Sequence, residues 1–191
     1  MTKIRTEDVG EFYLHYPFIA TIVTCQAGGK ENAMAVAWHC AVSRNPPLYA
    51  VSISPRRYTH ELILQSKEFG VNFLPYDKAQ IVAAVGGATG REVDKLAKLG
   101  LAKEAALKTK VPVLRDAYLT YECTLQDYKT EGDHTLMVGR IVAVQYQEGL
   151  LTDKSIFNLD KVRPTLYLGA DTYAALDKRS GQFVDRKSLY R

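Results

Sequence analysis

Short runs of β-branched and small apolar residues, separated by glycine and proline turn signals, constrain the fold of this chain more than any other feature. The first run is residues 19–25 (IATIVTC), and a turn signal follows it at residues 28–30 (GGK). Two more runs, residues 33–38 (AMAVAW) and 48–53 (LYAVSI), lie on either side of a breaker at residues 45–47 (NPP). β-Branched residues favour pleated strands, and glycine and proline interrupt them. The pattern therefore predicts a β-hairpin followed by a third strand.

A helical insertion is expected after these strands. Thr59 is a predicted N-cap, because its hydroxyl can accept from the free N–H groups of a first helical turn, and a short helix should follow over about residues 60–66. Residues 68–74 (EFGVNFL) again have the composition of a strand. From residue 77 to about 110 the chain is rich in alanine and lysine, which predicts helix interrupted at glycines.

The second half of the chain returns to strands. In residues 117–126 (AYLTYECTLQ) successive side chains would lie on opposite faces of a strand, and residues 135–146 (TLMVGRIVAVQY) form a nearly continuous apolar run. A turn is expected between them at residues 132–133, and the last fifth of the chain should form loops and a charged tail. With no repeat or linker, the pattern predicts a single domain over residues 1–191. Its architecture should be mainly β (α+β), a closed antiparallel β-barrel with peripheral helices.

Composition limits the class of protein more than its activity. With 191 residues, 47% hydrophobic and 24% charged, the chain suits one ordinary globular domain. A net charge of +4 weakly favours anionic ligands, and the sequence lacks the concentrated basic patch of a nucleic-acid binder. Cys25, Cys40 and Cys123 are scattered without a CxxC motif, which is typical of a reducing compartment. Since no apolar run suits a signal peptide or a membrane span, we expect a cytoplasmic protein that does not bind membranes.

The segment at residues 32–38 (NAMAVAW) is the first candidate for a binding site. A strand of small side chains leaves its backbone open to the polar edge of a flat heterocycle, and Trp38 would supply an aromatic wall. The same pattern also fits a core strand that carries a packed tryptophan. The residues alone leave both interpretations open.

The segment at residues 52–59 (SISPRRYT) is the second candidate. It places two serines, two arginines and a threonine just before a predicted helix, where free N–H groups and the helix dipole favour anions. An arginine fork adds a geometry suited to phosphate. A solvated basic loop with an ordinary N-cap would have the same sequence.

The segment at residues 132–134 (GDH) is the third candidate. His134, directly after a turn, could donate to a ligand carbonyl or carry a proton near neutral pH, although a lone histidine is also a common structural residue. A metal site is not expected, because the adjacent His39 and Cys40 would lie on opposite faces of a strand. The sequence has no GxSxG nucleophile motif, and residues 85–90 (VGGATG) lack the spacing of a dinucleotide-binding GxGxxG.

The order of these segments resembles that of the flavin-reductase-like proteins, and most closely the flavoredoxins. The likeness rests on four segments, and it covers roughly residues 15–175. They are residues 23–53 (VTCQAGGKENAMAVAWHCAVSRNPPLYAVSI), 54–73 (SPRRYTHELILQSKEFGVNF), 132–144 (GDHTLMVGRIVAV) and 163–173 (RPTLYLGADTY).

The resemblance implies a fold and a set of contacts to the cofactor. The family fold is the FMN-binding split barrel, a Greek-key β-barrel that forms a homodimer with FMN near the subunit interface. The implied flavin contacts are Asn32 and Trp38 on the first hairpin, together with His134. Tyr167 stands where an aromatic residue, often phenylalanine, contacts the ring. The implied phosphate contacts are Ser52, Ser54, Arg57 and Thr59, with Lys95 reaching the cofactor from the helical insertion. No role carries over to Cys40.

The resemblance also implies a redox function, with alternatives that the sequence leaves open. The first is an enzyme, an NAD(P)H-dependent flavin or ferric reductase in which non-covalent FMN carries the chemistry and His134 is the candidate catalytic residue. The second is a non-enzymatic FMN electron carrier that docks to a redox protein. A distant third is a barrel that binds single-stranded nucleic acid, which would need aromatic and basic residues interleaved along its strands. The strands predicted at residues 19–25 and 135–146 are largely aliphatic, so we expect no nucleic-acid partner.

Overall fold

Antiparallel strands dominate the computed structural model, which describes residues 1–10 and 13–186. The strands are β1 (Phe18–Ile19), β2 (Thr21–Ala27), β3 (Lys30–Val36), β4 (His39–Arg44), β5 (Pro47–Ile53), β6 (Glu68–Phe73), β7 (Lys103–Glu104), β8 (Val113–Leu114), β9 (Leu119–Glu131), β10 (His134–Tyr146), β11 (Leu166–Gly169) and β12 (Thr172–Ala174). The α-helices are α1 (Tyr58–Ser66), α2 (Ala79–Gly86) and α3 (Lys95–Lys98), and short 3₁₀ helices occur at Tyr13–His15 and Tyr76–Lys78.

Seven strands form one curved antiparallel sheet in the order β3-β2-β6-β9-β10-β5-β4. The sheet curls until β3 approaches β5, and the backbone N–H of Ser52 donates to the carbonyl of Trp38 at 2.9 Å. Two small antiparallel sheets, β1-β11-β12 and β7-β8, pack beside it. The predicted mainly β barrel with peripheral helices is confirmed.

Both faces of the central strands are buried, which explains their continuous apolar runs. On β2, Val23 contributes to the core inside the barrel, together with Phe69 and Met137. Ile22, its neighbour in sequence, points to a second core, which α2 supplies with Val82. Because successive side chains of a strand alternate between faces, a strand covered on both sides must be apolar throughout.

One glycine of β10 is required by the barrel core. A Cβ on Gly139 would lie 2.4 Å from Cζ of Phe69 and 2.8 Å from Cβ of Cys123. These distances are far shorter than van der Waals contacts, so Phe69 can fill the barrel only because residue 139 has no side chain.

The start of helix α1 differs from the sequence prediction. The N-cap is Arg57, which makes no side-chain capping hydrogen bond, and Thr59 lies inside the first turn of the helix. The prediction of Thr59 as N-cap is therefore wrong. Its hydroxyl instead accepts a hydrogen bond from Nδ2 of Asn32 on β3, at 2.8 Å, and this contact between distant segments outweighs the local preference of threonine for the cap.

Several strands were not predicted, among them β4, β11 and β12. Strand β4 follows Trp38 directly and pairs with β5, so residues 39–44 extend the sheet where the sequence pattern defined no separate strand. Strands β11 and β12 occupy part of the C-terminal region that was expected to be loop. All three are short or exposed to solvent, and such strands carry little of the apolar pattern that identifies buried ones.

The helical insertion is shorter than predicted. Helix covers residues 79–86 and 95–98, but residues 99–110 are not helical and include β7. The buried carboxylate of Glu122, on β9, accepts hydrogen bonds from the backbone N–H groups of Leu107, Lys108 and Thr109. These bonds satisfy three donors of the loop, which a helix would have satisfied internally.

The length of the helices and the pairing of the cysteines are both defined by the structure. No helix within residues 1–10 and 13–186 is long and apolar enough to cross a membrane. The three cysteine thiols are free, with Cys25 and Cys123 buried and Cys40 exposed on β4.

Candidate functional site

Two adjoining cavities lie where β3, the start of α1 and the loop after α2 meet. The smaller has a volume of about 210 Å³ and the larger about 750 Å³. Met34, Ala35 and Arg57 line both of them, so the cavities form one elongated cleft.

The smaller cavity is lined by cations and by the uncapped end of α1. Arg56, Arg57 and Lys95 line it together with Tyr58 and Thr59. The backbone N–H groups of Tyr58 and Thr59, at the first two positions of the helix, have no acceptor within the helix. Since no side chain caps this end, these donors and the positive end of the helix dipole remain available to an anion.

Lys95 is the most buried cation of the cleft, with 6% of its surface exposed. Its ammonium donates to the carbonyl oxygens of Val85 at 3.0 Å and Ala88 at 3.1 Å. A lysine ammonium has three donors, so one N–H remains for a ligand. Burial lowers the pKa of Lys95, and the nearby Arg57 lowers it further. A bound anion would offset both effects.

The loop between α2 and α3 is held against α1 and β3. The guanidinium of Arg91 lies 2.9 Å from the carboxylate of Glu61 on α1, and 5.0 Å from the ring centroid of Tyr58. Gly90 abuts the side chain of Asn32 so closely that a Cβ at residue 90 would lie 2.0 Å from Oδ1. The loop therefore closes one side of the smaller cavity.

The larger cavity is lined by aromatic side chains and by the chain from β3 to β4. Trp38 and His134 lie side by side, with ring centroids 4.8 Å apart and planes tilted by 45°. Nε1 of Trp38 donates to the hydroxyl of Tyr16 at 3.3 Å. Tyr167 completes this wall, with its ring centroid 5.3 Å from that of Tyr16. Planar aromatic surfaces of this kind suit a flat ligand.

His134 is oriented by the acidic residue before it. Nδ1 of His134 lies 2.8 Å from Oδ1 of Asp133, and because a carboxylate only accepts, Nδ1 carries the proton. This hydrogen bond lowers the pKa of Asp133. Nε2 is left as the ring atom that can accept in the neutral form or donate in the charged form.

A third cleft, of about 270 Å³, adjoins the larger cavity. It shares Val36 and Tyr167 with that cavity and reaches Val82 on α2. Tyr167 and Tyr173 lie at its edge, with ring centroids 5.4 Å apart.

The structure brings eight of the nine predicted site residues to the elongated cleft. Those on the smaller cavity are Asn32, Arg57, Thr59 and Lys95, and those on the larger are Trp38, Ser52, Arg57, His134 and Tyr167. Ser52 thus lies with the aromatic residues, although it was predicted at the phosphate end. Ser54 lines neither cavity, and its carbonyl accepts from the N–H of Arg57 at 2.9 Å.

Several lining residues were not among the individual contacts predicted from the sequence. They are Tyr16, Met34, Arg56, Thr89 and Gly90. Arg56 could have been found from its place beside Arg57. The glycines of residues 86–90 were considered only as part of a dinucleotide motif, whereas in the structure Gly90 lets the loop approach Asn32 on β3. Within the described ranges, no cluster of three His, Cys, Asp or Glu side chains could hold a metal ion.

The chain is similar to known flavoproteins along most of its length. Residues 13–175 match the sequence model of the Flavin reductase like domain. A crystal structure of an FMN-binding protein from Thermus thermophilus with bound 1-cyclohex-2-enone is 34% identical. It superposes with a TM-score of 0.84 over 97% of this chain and 100% of that one. Flavoredoxin from Methanosarcina acetivorans is 25% identical, with a TM-score of 0.83 over 99% and 100%. An NADH-dependent flavin reductase from a Rhodococcus species is 29% identical, over 69% of this chain and 70% of that protein.

Proposed function

The chain belongs to the Flavin reductase like domain family, and on that premise we propose that it binds one FMN per subunit, without a covalent link, and passes electrons through it. The observation that carries this proposal is the division of one cleft into a cationic end and an aromatic end. FMN has the matching division, with a phosphate dianion at one end and a planar isoalloxazine ring at the other.

The residues of the smaller cavity fit a phosphate. Arg57 can give a bidentate fork, Lys95 one remaining N–H, and Thr59 a hydroxyl, beside two free backbone N–H groups of α1. A cation-lined cavity of about 210 Å³ with this many unpaired donors suits a compact anion better than any apolar group.

The residues of the larger cavity fit the ring. Trp38 and Tyr167 offer aromatic surfaces, and the backbone around Ala37 can exchange hydrogen bonds with the polar edge of a heterocycle. His134 can place Nε2 against the ring or against a second molecule beside it, since Asp133 fixes the orientation of the imidazole. Bound FMN would supply the redox chemistry, because it accepts two electrons together and can release them singly. The protein orients the cofactor, compensates its phosphate charge and controls access to it.

We propose further that the protein is an NAD(P)H-dependent flavin or ferric reductase, with His134 as the catalytic candidate. The larger cavity has more than three times the volume of the smaller one (750 against 210 Å³), which supports a place for a second planar molecule beside the ring. The similarity to an NADH-dependent flavin reductase also supports this activity. The similarity to a flavoredoxin favours the second candidate, an electron carrier that exchanges electrons with a protein partner.

A homodimer is the proposed assembly. Strand β4 is one of the two terminal strands of the seven-stranded sheet, and its side chains are largely exposed, including Val42. An exposed strand edge with unpaired backbone groups is a natural place for a second copy to bind. Since β4 follows directly after Trp38, such an interface would lie close to the proposed ring site.

The experiment that tests the proposal begins with the colour of the purified protein. We expect a yellow protein whose flavin is released completely by acid precipitation. Under anaerobic conditions NADH or NADPH should bleach it if it is a reductase, whereas a carrier should be bleached by dithionite alone. A colourless protein that also fails to take up added FMN would refute the central proposal.

A further inference from the structure

We propose that Asn32 is a positioning residue, which orients the hydroxyl of Thr59 toward the phosphate of the bound flavin without contacting that phosphate itself. This inference rests on the proposed function. It assigns Asn32 to the selection of phosphorylated flavin through Thr59, whereas the family likeness implied a direct contact between Asn32 and the flavin.

The hydrogen bond between the two side chains has a defined direction. Nδ2 of Asn32 lies 2.8 Å from Oγ1 of Thr59, and both residues are almost completely buried. An amide nitrogen only donates, so Oγ1 is the acceptor and its own proton points elsewhere. Among the described residues, no protein acceptor receives that proton.

The hydroxyl of Thr59 faces a cavity that holds other unpaired donors. Thr59 lines the smaller cavity with Arg57 and Lys95, and Lys95 also has one donor left over. Donors that remain after all protein partners have been counted indicate a ligand that only accepts. A phosphate monoester is such a ligand, and its oxygens would receive the hydroxyl of Thr59 as a charge-assisted bond.

The oxygen of the Asn32 amide shows that this side chain does not bind the phosphate itself. Oδ1 of Asn32 is buried and has no hydrogen-bond partner among the described residues. It cannot bind a phosphate oxygen, because both are acceptors. Packing alone does not explain an amide here, since an apolar side chain would avoid the cost of an unpaired acceptor. The N–H that Asn32 gives to Thr59 does explain it.

Gly90 and Thr59 form a clamp that keeps the amide in this orientation. A Cβ on Gly90 would lie 2.0 Å from Oδ1 and 2.6 Å from Cγ of Asn32, so the loop after α2 rests directly on the amide. With Thr59 on one side and Gly90 on the other, Asn32 has little room to rotate. Gly90 therefore helps to hold the side chain of Asn32 in place.

The experiment is a double-mutant cycle with near-isosteric variants, read out as the dissociation constants of FMN and riboflavin from the apo-protein. Asn32→Leu and Thr59→Val should each weaken FMN binding by about 10- to 150-fold, the effect of one hydrogen bond to a charged group. The double variant should bind FMN no more weakly than Thr59→Val alone, because Asn32 acts only through the hydroxyl. Riboflavin affinity should stay at the wild-type value in all three. Should Asn32→Leu fail to fold, Asn32→Ala with Thr59→Ala gives the same cycle.

Two glycine variants test the clamp. Gly90→Ala should reproduce the loss of FMN affinity seen in Asn32→Leu. Gly87→Ala in the same loop is the matched control, because its Cβ would meet nothing closer than the carbonyl of Ala84 at 3.5 Å. This control should bind FMN like wild type.

The outcomes separate this inference from the proposed function. Additive losses in the double variant, or equal losses for FMN and riboflavin, would mean that Asn32 contacts the flavin directly, and would overturn the inference while leaving FMN binding intact. A wild-type protein that binds neither flavin would overturn both.

Discussion

Replacing Lys95 by methionine should reduce the preference for FMN over riboflavin while leaving the proposed ring site unchanged. Methionine keeps the length and most of the packing of the side chain, which is 6% exposed, and removes only the ammonium. A hydrogen bond to a charged group contributes about 1.5–3 kcal/mol. The FMN dissociation constant should therefore rise by about 10- to 150-fold. Riboflavin has no phosphate, so its affinity should not change.

The assay is the quenching of flavin fluorescence on titration into apo-protein, with FMN and riboflavin measured in parallel. Lys98→Met is the matched control, because Lys98 lies on the same helix but is exposed and outside both cavities. It should bind both flavins like wild type. Lys95 also holds the carbonyls of Val85 and Ala88, so the variant must show a wild-type circular dichroism spectrum. Equal losses of FMN and riboflavin affinity would refute the assignment of Lys95 to the phosphate.

Four further outcomes are expected. The pKa of Lys95 is lowered from its ordinary value of 10.5, so the ammonium loses its proton at a pH below 10.5. FMN affinity should therefore fall as the pH rises toward 10.5, and Lys95→Met should not show this fall. His134→Ala should weaken FMN and riboflavin equally, by about 2- to 10-fold, if His134 holds the flavin. A reduction rate that returns to wild type at saturating FMN would exclude the catalytic role, and unchanged affinity with slow reduction would place His134 at the donor site. Gly139→Ala should lower the free energy of unfolding in urea by about 1–3 kcal/mol through overpacking against Phe69, whereas Gly181→Ala, which meets no neighbouring atom, should not. Light scattering at micromolar concentration should give the mass of a dimer, and a monomer that retains FMN would contradict the proposed assembly.

The fold could be predicted where burial sets the pattern of the sequence. Strands β2 and β5 lie at or near the predicted positions, because most of their side chains are buried on both faces and leave apolar runs. Strand β4 could not be predicted in the same way, since it lies at the sheet edge and most of its side chains are exposed. Its pairing with β5 is specified by backbone hydrogen bonds, which leave no mark on side-chain type.

The two ends of the cleft differed in how far the sequence could define them. Residues 54–59 are consecutive in the chain, so the cationic loop and the helix after it were visible as one motif. The opposite wall of the smaller cavity comes from residues 85–95, whose role depends on a fold that brings the loop back onto β3. Gly90 matters because its missing side chain lets the loop rest on Asn32, and that contact joins residues 58 positions apart in the chain (90 and 32).

Thr59 was expected to cap α1, and its hydroxyl makes a different contact in the structure. Its hydroxyl was expected to satisfy the first turn of α1, and a threonine in that role would have its acceptor capacity directed at backbone N–H groups. In the structure that capacity is directed at Asn32 instead, and the N-terminus of α1 keeps its own N–H groups free. An N-terminus without a side-chain cap is less stable on its own, and it is also a better anion site, because nothing in the protein competes for its donors. The side chain that could have capped α1 therefore contributes more to the proposed phosphate site from inside the first turn than it would from the cap position.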